Sequence, residues 1–305
     1  AFNRGTENQT IDGTLYFWSH QSIIQNSPNP NYITYSATDY VAINLSGNVS
    51  NGTDSNSDND FMNVASGQSF FIRGKVSGVT SNQVTFNNAM RVKTGGNNNQ
   101  FFKPGVSTPV DNWQNTGKHR IWLNMTSEQK DFNQTLVGYI QEATNGLDWG
   151  YDGEMFSSGA LTFYSLLNEK SLTIQGRALP FSTQDEIPLG YTTTRTGTMS
   201  ISIDKADGLF QGQDVFLEDK VLNVVHNLKN ATYSFTTLPG TFNDRFVLRY
   251  LPEENLGTEM PVIDANAIVI YNANNQISVK TTDVTLGDLY IYDLQGRLIF
   301  SKNKI

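Results

Sequence analysis

Alternation of apolar and polar residues with a period of two constrains this chain more than any other feature. Successive side chains of a strand point to opposite faces, so a half-buried strand alternates in this way. Segments 14–18, 68–74, 83–86, 119–125, 135–140, 171–176, 197–203, 214–217, 232–236 and 245–250 follow the pattern. Segments 119–125 and 135–140 read as a strand pair. Clusters of Asn, Ser, Gly, Pro and Asp at 26–31, 51–60 and 95–99 read as loops. No stretch sustains a 3.6-residue repeat. Short strands spaced by about 8–12 residues, with turn signals between them, predict an all-β chain of sandwiches or barrels.

Two boundaries punctuate the pattern. Residues 103–117 carry Pro104, Pro109, Gly105 and Gly117 and read as a joint between two β-units or as one long loop. Residues 253–261 follow the last alternating strand, carry Glu253, Glu254, Glu259 and Gly257, and read as a linker. The expected organisation is one or two antiparallel β-sandwich units in residues 1–252, subdivided near 103–117 if there are two. A small module over 262–305 then follows. In it, 267–271, 277–280, 288–294 and 297–300 read as strands, with Gly296 at the tight turn before the last.

Composition excludes several function classes. The formal net charge of −8 would repel a phosphate backbone, so no nucleic-acid partner is expected. The chain has no Cys, which removes disulfides, thiolate metal sites and a thiol nucleophile. No window approaches the roughly 18 apolar residues of a membrane-spanning helix. The first residues, Ala1 to Gly5, lack the apolar core of a signal peptide, so any export signal is expected outside this chain.

Few residue constellations carry chemistry. Asp54, Asn56, Asp58 and Asp60 place oxygen ligands at alternate positions, a spacing that can wrap Ca2+. Asn59 stands where an EF-hand loop needs glycine, and the plainer reading is a solvated loop. Asp148, Trp149, Asp152 and Glu154 combine carboxylates with an aromatic ring, a set that suits a sugar or a second calcium. Gly150 and Gly153 favour the plainer reading of an acidic turn. His20, His119 and His226 show no zinc spacing, and His119 reads as a structural hydrogen-bonding group. Arg245 beside Asp244 reads as a buried structural pair. No Gly-x-Ser-x-Gly elbow occurs, and the chain is expected not to be an enzyme.

The run Leu289-Tyr290-Ile291-Tyr292-Asp293-Leu294-Gln295-Gly296-Arg297-Leu298-Ile299, with the preceding segments 268–271 and 275–279, resembles the type A C-terminal sorting domain of type IX secretion substrates in the Bacteroidota. The body, through segments 12–20, 101–103, 119–124, 175–180 and 241–246, resembles large flavobacterial adhesin-like surface proteins. The resemblance implies that 262–305 is the first part of an Ig-like sandwich, incomplete because the chain stops at Ile305. It also implies that Ala1 lies inside a longer parent.

The function implied is that of a secreted, cell-surface protein exported across the outer membrane, with its C-terminal domain as sorting signal. The partners implied are the type IX outer-membrane translocon and its shuttle protein, with Tyr290, Tyr292, Asp293, Gly296 and Arg297 as recognition residues. The tyrosines would pack, Gly296 would turn the chain, and Arg297 would make a polar contact or an intradomain pair. Two alternatives stand beside this reading. One is a carbohydrate-binding adhesin module that holds a surface glycan on Trp18, Trp113, Trp122 or Trp149. The other is a fragment of a glycan-active enzyme.

Overall fold

The computed structural model describes residues 8–18, 25–26, 33–34, 39–50, 64, 67–75, 83–90, 117–156, 159–252, 268–273, 276–281, 287–293 and 295–303. Asp54, Asn56, Asp58, Asp60 and Trp113, most of the 103–117 segment and the 253–261 linker lie outside the described residues. The fold is all-β, with no α-helix among the described residues. The chain divides into two compact units, Ala1–Pro252 and Glu253–Ile305.

The first unit opens with β1 (Ile11–Trp18), β2 (Gln25–Asn26), β3 (Ile33–Thr34), β4 (Tyr40–Ile43) and β5 (Phe71–Gly74). β2 pairs with β3, while β4, β1 and β5 form a small antiparallel sheet in that order. Segment 83–86 forms no strand. Instead the side chains of Asn8 and Thr10 bind its backbone: Asn8 Nδ2 donates to Thr85 O at 3.0 Å, and Thr85 N donates to Asn8 Oδ1 at 2.7 Å. Polar side chains thus take the backbone bonds that a neighbouring strand would have made.

A large sheet follows. Its strands are β6 (Lys118–Ser127), β7 (Phe132–Ile140), β8 (Gly153–Glu154), β9 (Leu161–Leu167), β10 (Lys170–Ala178), β11 (Ile187–Thr193), β12 (Gly197–Ala206), β13 (Phe216–Asp219), β14 (Val224–Asn227), β15 (Tyr233–Thr237) and β16 (Gly240–Arg249). The order is β14-β13-β16-β11-β9-β10-β7-β6-β12-β15, with β8 against β10. Every pairing is antiparallel except β7 with β10. The chain leaves β7, runs through β8 and β9, and returns beside β7 as β10 in the same direction.

The large sheet curls until its two halves face each other. Phe235 of edge strand β15 meets Phe246 of β16 at 4.8 Å and Tyr191 of β11 at 5.5 Å. Ile121, Leu123, Val137, Phe163, Leu189, Met199 and Leu248 fill the space between the halves. Trp122, Leu136 and Ile174 point the other way and pack against Tyr16 and Ala42 of the small sheet and Val49 after it. Central strands are therefore buried on both faces, which gives the layered, sandwich-like core of an all-β domain.

Two ion pairs are buried in this arrangement. Arg120 has no exposed surface and donates Nε and Nη2 to Asp207 Oδ2 at 2.9 and 2.7 Å. Arg245 donates Nη2 to Asp219 Oδ2 at 2.8 Å. Arg245 is thus the buried structural residue expected of it, but its partner is Asp219 across the sheet and not Asp244. Neighbours on a strand face opposite ways, so Asp244 is directed away from Arg245 and is exposed. Tyr233 and the backbone N–H of Leu222 also reach Asp219. Although burial opposes ionisation of Asp219, these donors and the Arg245 guanidinium hold its carboxyl below the ordinary value.

The second unit holds two hairpins, β17 (Ile268–Ala273) with β18 (Gln276–Thr281) and β19 (Leu289–Tyr292) with β20 (Leu298–Lys302).

Candidate functional site

The acidic turn at 148–154 sits where the small sheet meets the large one. Gly150, with φ of +90°, reverses the chain there. Its N–H donates to Asp12 O at 2.6 Å and its carbonyl accepts from Leu45 N at 2.8 Å. Tyr151 O accepts from Asn44 Nδ2 at 3.0 Å and Ser46 Oγ at 2.6 Å. Thr14 Oγ1 donates to Asp152 O at 3.0 Å, and Tyr16 OH donates to Glu154 O at 2.7 Å. The turn therefore ties β1 and the segment after β4 onto β8 and β10.

Its carboxylates do not converge. Asp148 accepts from the backbone N–H and the hydroxyl of Thr144. Asp152 accepts from Asp148 N at 2.6 Å and Gly176 N at 2.8 Å. Glu154 pairs with Arg73 at 3.0 Å and Lys170 at 2.8 Å. Trp149 is exposed, with Lys75 Nζ 4.9 Å from its ring centroid. Asp148, Trp149, Asp152 and Glu154 thus form a structural joint and not a shared ligand cage. Among the described residues, no group of three or more His, Asp or Glu side chains is arranged to hold a metal. Burial pushes the Asp152 carboxyl up to about 7 against the pull of its two N–H donors, and pushes Asp12 up to about 6.

The β19–β20 hairpin has a different character. Gly296, with φ of +78°, turns the chain as expected. Asp293 organises the turn: its Oδ1 accepts from Gln295 N at 2.9 Å and Arg297 N at 2.8 Å, and its Oδ2 accepts from Arg297 Nε at 2.7 Å. These donors, the Arg297 backbone N–H first, hold the Asp293 carboxyl below its ordinary value. Arg297 thus makes the intradomain pair. The tyrosines do not pack inward: Tyr292 is 58% exposed and Tyr290 is nearly as open. Leu298, Ile299 and Phe300 are exposed too.

A family model described as a domain of unknown function (DUF8693) matches residues 1–250. The chain belongs to the DUF8693 family. A second model, also described as a domain of unknown function (DUF8694), matches residues 256–305. No curated protein and no solved structure matches the chain.

Within the DUF8693 region the described tryptophans, Trp18, Trp122 and Trp149, lie on different elements. Trp18 is exposed at the end of β1, while Trp122 is buried under Arg120 and Lys205 and donates Nε1 to Asn48 O at 2.7 Å. His119 accepts from Leu209 N at 3.2 Å through Nδ1, in the structural role expected of it. Tyr40, Phe71 and Phe156 gather around the buried ring of Tyr16, with Phe71 and Phe156 reaching the surface. Alternation marks Tyr16 and Phe71 only as strand residues, and nothing local marks Tyr40 or Phe156. Sequence reasoning had no signal that would bring them together. No described helix is long and apolar enough to cross a membrane.

Proposed function

We propose that residues 253–305 are the docking element through which a type IX outer-membrane translocon and its shuttle protein recognise an exported cell-surface protein. Residues 1–252 are then the passenger. One observation carries the reading: a two-stranded hairpin presents Tyr290, Tyr292, Leu298, Ile299 and Phe300 to solvent, with Ile299 66% exposed. A lone hairpin is marginal in water, and clustered exposed apolar side chains mark interaction surfaces. A partner can add a strand to the hairpin edge or bury the rings in a groove. The Asp293–Arg297 bracket and Gly296 keep the two strands in register for that encounter.

The passenger acts by binding and not by catalysis. Each carboxylate of the acidic turn is engaged by backbone N–H groups or cations, which supports a binding role for the passenger.

The test is export of a reporter fused to residues 253–305 and any native continuation, in cells with and without a functional type IX system. Export that needs the system, and that is lost on Ile299→Asp, supports the docking role. A fusion that stays folded in the periplasm of competent cells refutes it.

A further inference from the structure

Each strand of the small sheet contributes one aromatic ring at its junction with the large sheet. Tyr16 comes from β1, Tyr40 from β4 and Phe71 from β5, and the register sets Tyr16 opposite Phe71. Phe156, two residues beyond β8, joins them. It stacks on Tyr16 with ring centroids 4.5 Å apart and lies 5.0 Å from Tyr40 and 5.5 Å from Phe71. Rings gathered this closely are normally core, yet Phe71 is 52% and Phe156 37% exposed.

Tyr16, Tyr40 and Phe156 line one side of a shallow depression that opens to solvent. Phe71 continues the aromatic surface outward from Phe156. The rest of the lining includes Ser50, Asn133, Gln134 and Thr173, with no charged side chain among the described lining residues. These groups are held in place. Gln134 Oε1 accepts from Ser50 N at 2.7 Å, and its Nε2 donates to Asn124 at 2.7 Å and Asp204 at 3.1 Å. Asn133 Oδ1 accepts from Phe163 N at 2.9 Å, which fixes the amide with its Nδ2 free of any acceptor among the described residues. Arg73 and Lys170, the cations nearest the turn, are committed to Glu154.

We propose that this depression binds a neutral oligosaccharide. An aromatic face accepts the C–H face of a sugar ring, and fixed amides and hydroxyls suit its hydroxyl groups. A lining without a cation gives nothing to a uronate, sulfate or phosphate, whose burial unpaired is costly. One sugar ring lies against Phe156 and Phe71, and Asn133 Nδ2 donates to a hydroxyl. The assignment does not depend on the route of export.

The experiment is titration calorimetry of the full chain with cello-, laminari-, manno- and xylohexaose, and with alginate and heparin hexasaccharides as acidic probes. At least one neutral hexasaccharide binds saturably, and Phe71→Ala and Phe156→Ala each weaken it by about tenfold. Phe71 is half exposed, and a melting temperature of Phe71→Ala near that of the parent separates lost binding from lost folding. Trp149→Ala, away from the depression, leaves binding unchanged. The proposal is overturned if no neutral probe binds, if acidic probes bind more tightly, or if both phenylalanine variants bind as the parent does.

Discussion

Arg120 with Asp207 and Arg297 with Asp293 use the same set of contacts in two very different places. In each, one aspartate oxygen accepts the arginine's own backbone N–H at 2.8 Å. The other accepts its Nε, at 2.9 Å for Arg120 and 2.7 Å for Arg297. The first pair joins residues 87 apart and its side chains are nearly inaccessible, at 1% and 7% exposure. The second joins residues 4 apart, and its arginine is 77% exposed. Burial removes water as an alternative partner, so the first pair locks a long-range contact that fails if either member is lost. The second shapes a turn that water solvates on all sides. The regions around them divide in the same way. The large sheet hides Phe163, Tyr191, Phe235 and Phe246 between its halves, whereas the β19–β20 hairpin presents its aromatic residues to solvent.

That contrast can be broken most sharply at the buried pair. Asp207→Ala leaves a guanidinium buried without its partner, and unfolding by urea should show a loss of about 3–5 kcal/mol. A loss below about 1 kcal/mol would put this pair in the same class as the exposed one.

The acidic joint gives the next largest effect, and it depends on pH. Asp12 and Asp152 are held above the ordinary carboxyl value of 3.8. Their neutral forms therefore stabilise the fold fully below that value, and the contribution is lost as pH rises through about 6 for Asp12 and about 7 for Asp152. Chemical denaturation from pH 4 to pH 8 should show stability falling across that window. Asp152→Asn should flatten the fall by on the order of 2–4 kcal/mol. An unchanged slope in the variant would mean that Asp152 does not titrate there.

Packing at the same joint is tight. A Cβ added at Gly176 would lie 2.8 Å from Tyr151 Cβ and 3.3 Å from Ser46 Oγ. Gly176→Ala should cost about 1–3 kcal/mol by thermal or urea melting, because the turn must move off β10. The smallest effect belongs to the exposed pair. Asp293→Asn should leave the melting transition of residues 1–252 in place and speed hydrogen exchange at the Gln295 and Arg297 amides. Slow exchange retained in the variant would show that the strand ladder, and not the aspartate, holds the turn.

Strand assignment from the sequence succeeded for β1, β6, β7 and β10, although their central residues are buried on both faces, and missed β9 and β11. β6 and β7 alternate, and their expected pairing is present from Lys118 with Ile140 to Thr126 with Phe132. β9 does not alternate: Phe163, Tyr164 and Ser165 are all buried, so both faces select against exposed polar residues. β11 was hidden by Pro188, which ordinarily argues against a central strand. Ile187 and Pro188 pair with β16 alone, and β9 joins only at Leu189, so the proline falls where the ladder has one neighbour. The acidic turn was visible as a turn, while the partners of its carboxylates, Gly176 N–H, Arg73 and Lys170 among them, come from elsewhere in the chain and were not. The aromatic depression was not visible at all.

The sequence by itself determined what is local. Alternation set the all-β class, Gly296 set a turn that needs positive φ, and the spacing of Asp293 and Arg297 set their bracket. Only the tertiary structure decided which strands became neighbours. It placed β10 parallel to β7, paired Arg245 with Asp219, curled the sheet around its core, and brought Tyr16, Tyr40, Phe71 and Phe156 into one cluster. The physical reason is that a period of two fixes which face a side chain takes but not which strand lies beside it. That choice is settled by burial summed over the whole sheet against the entropy of closing the loops between strands.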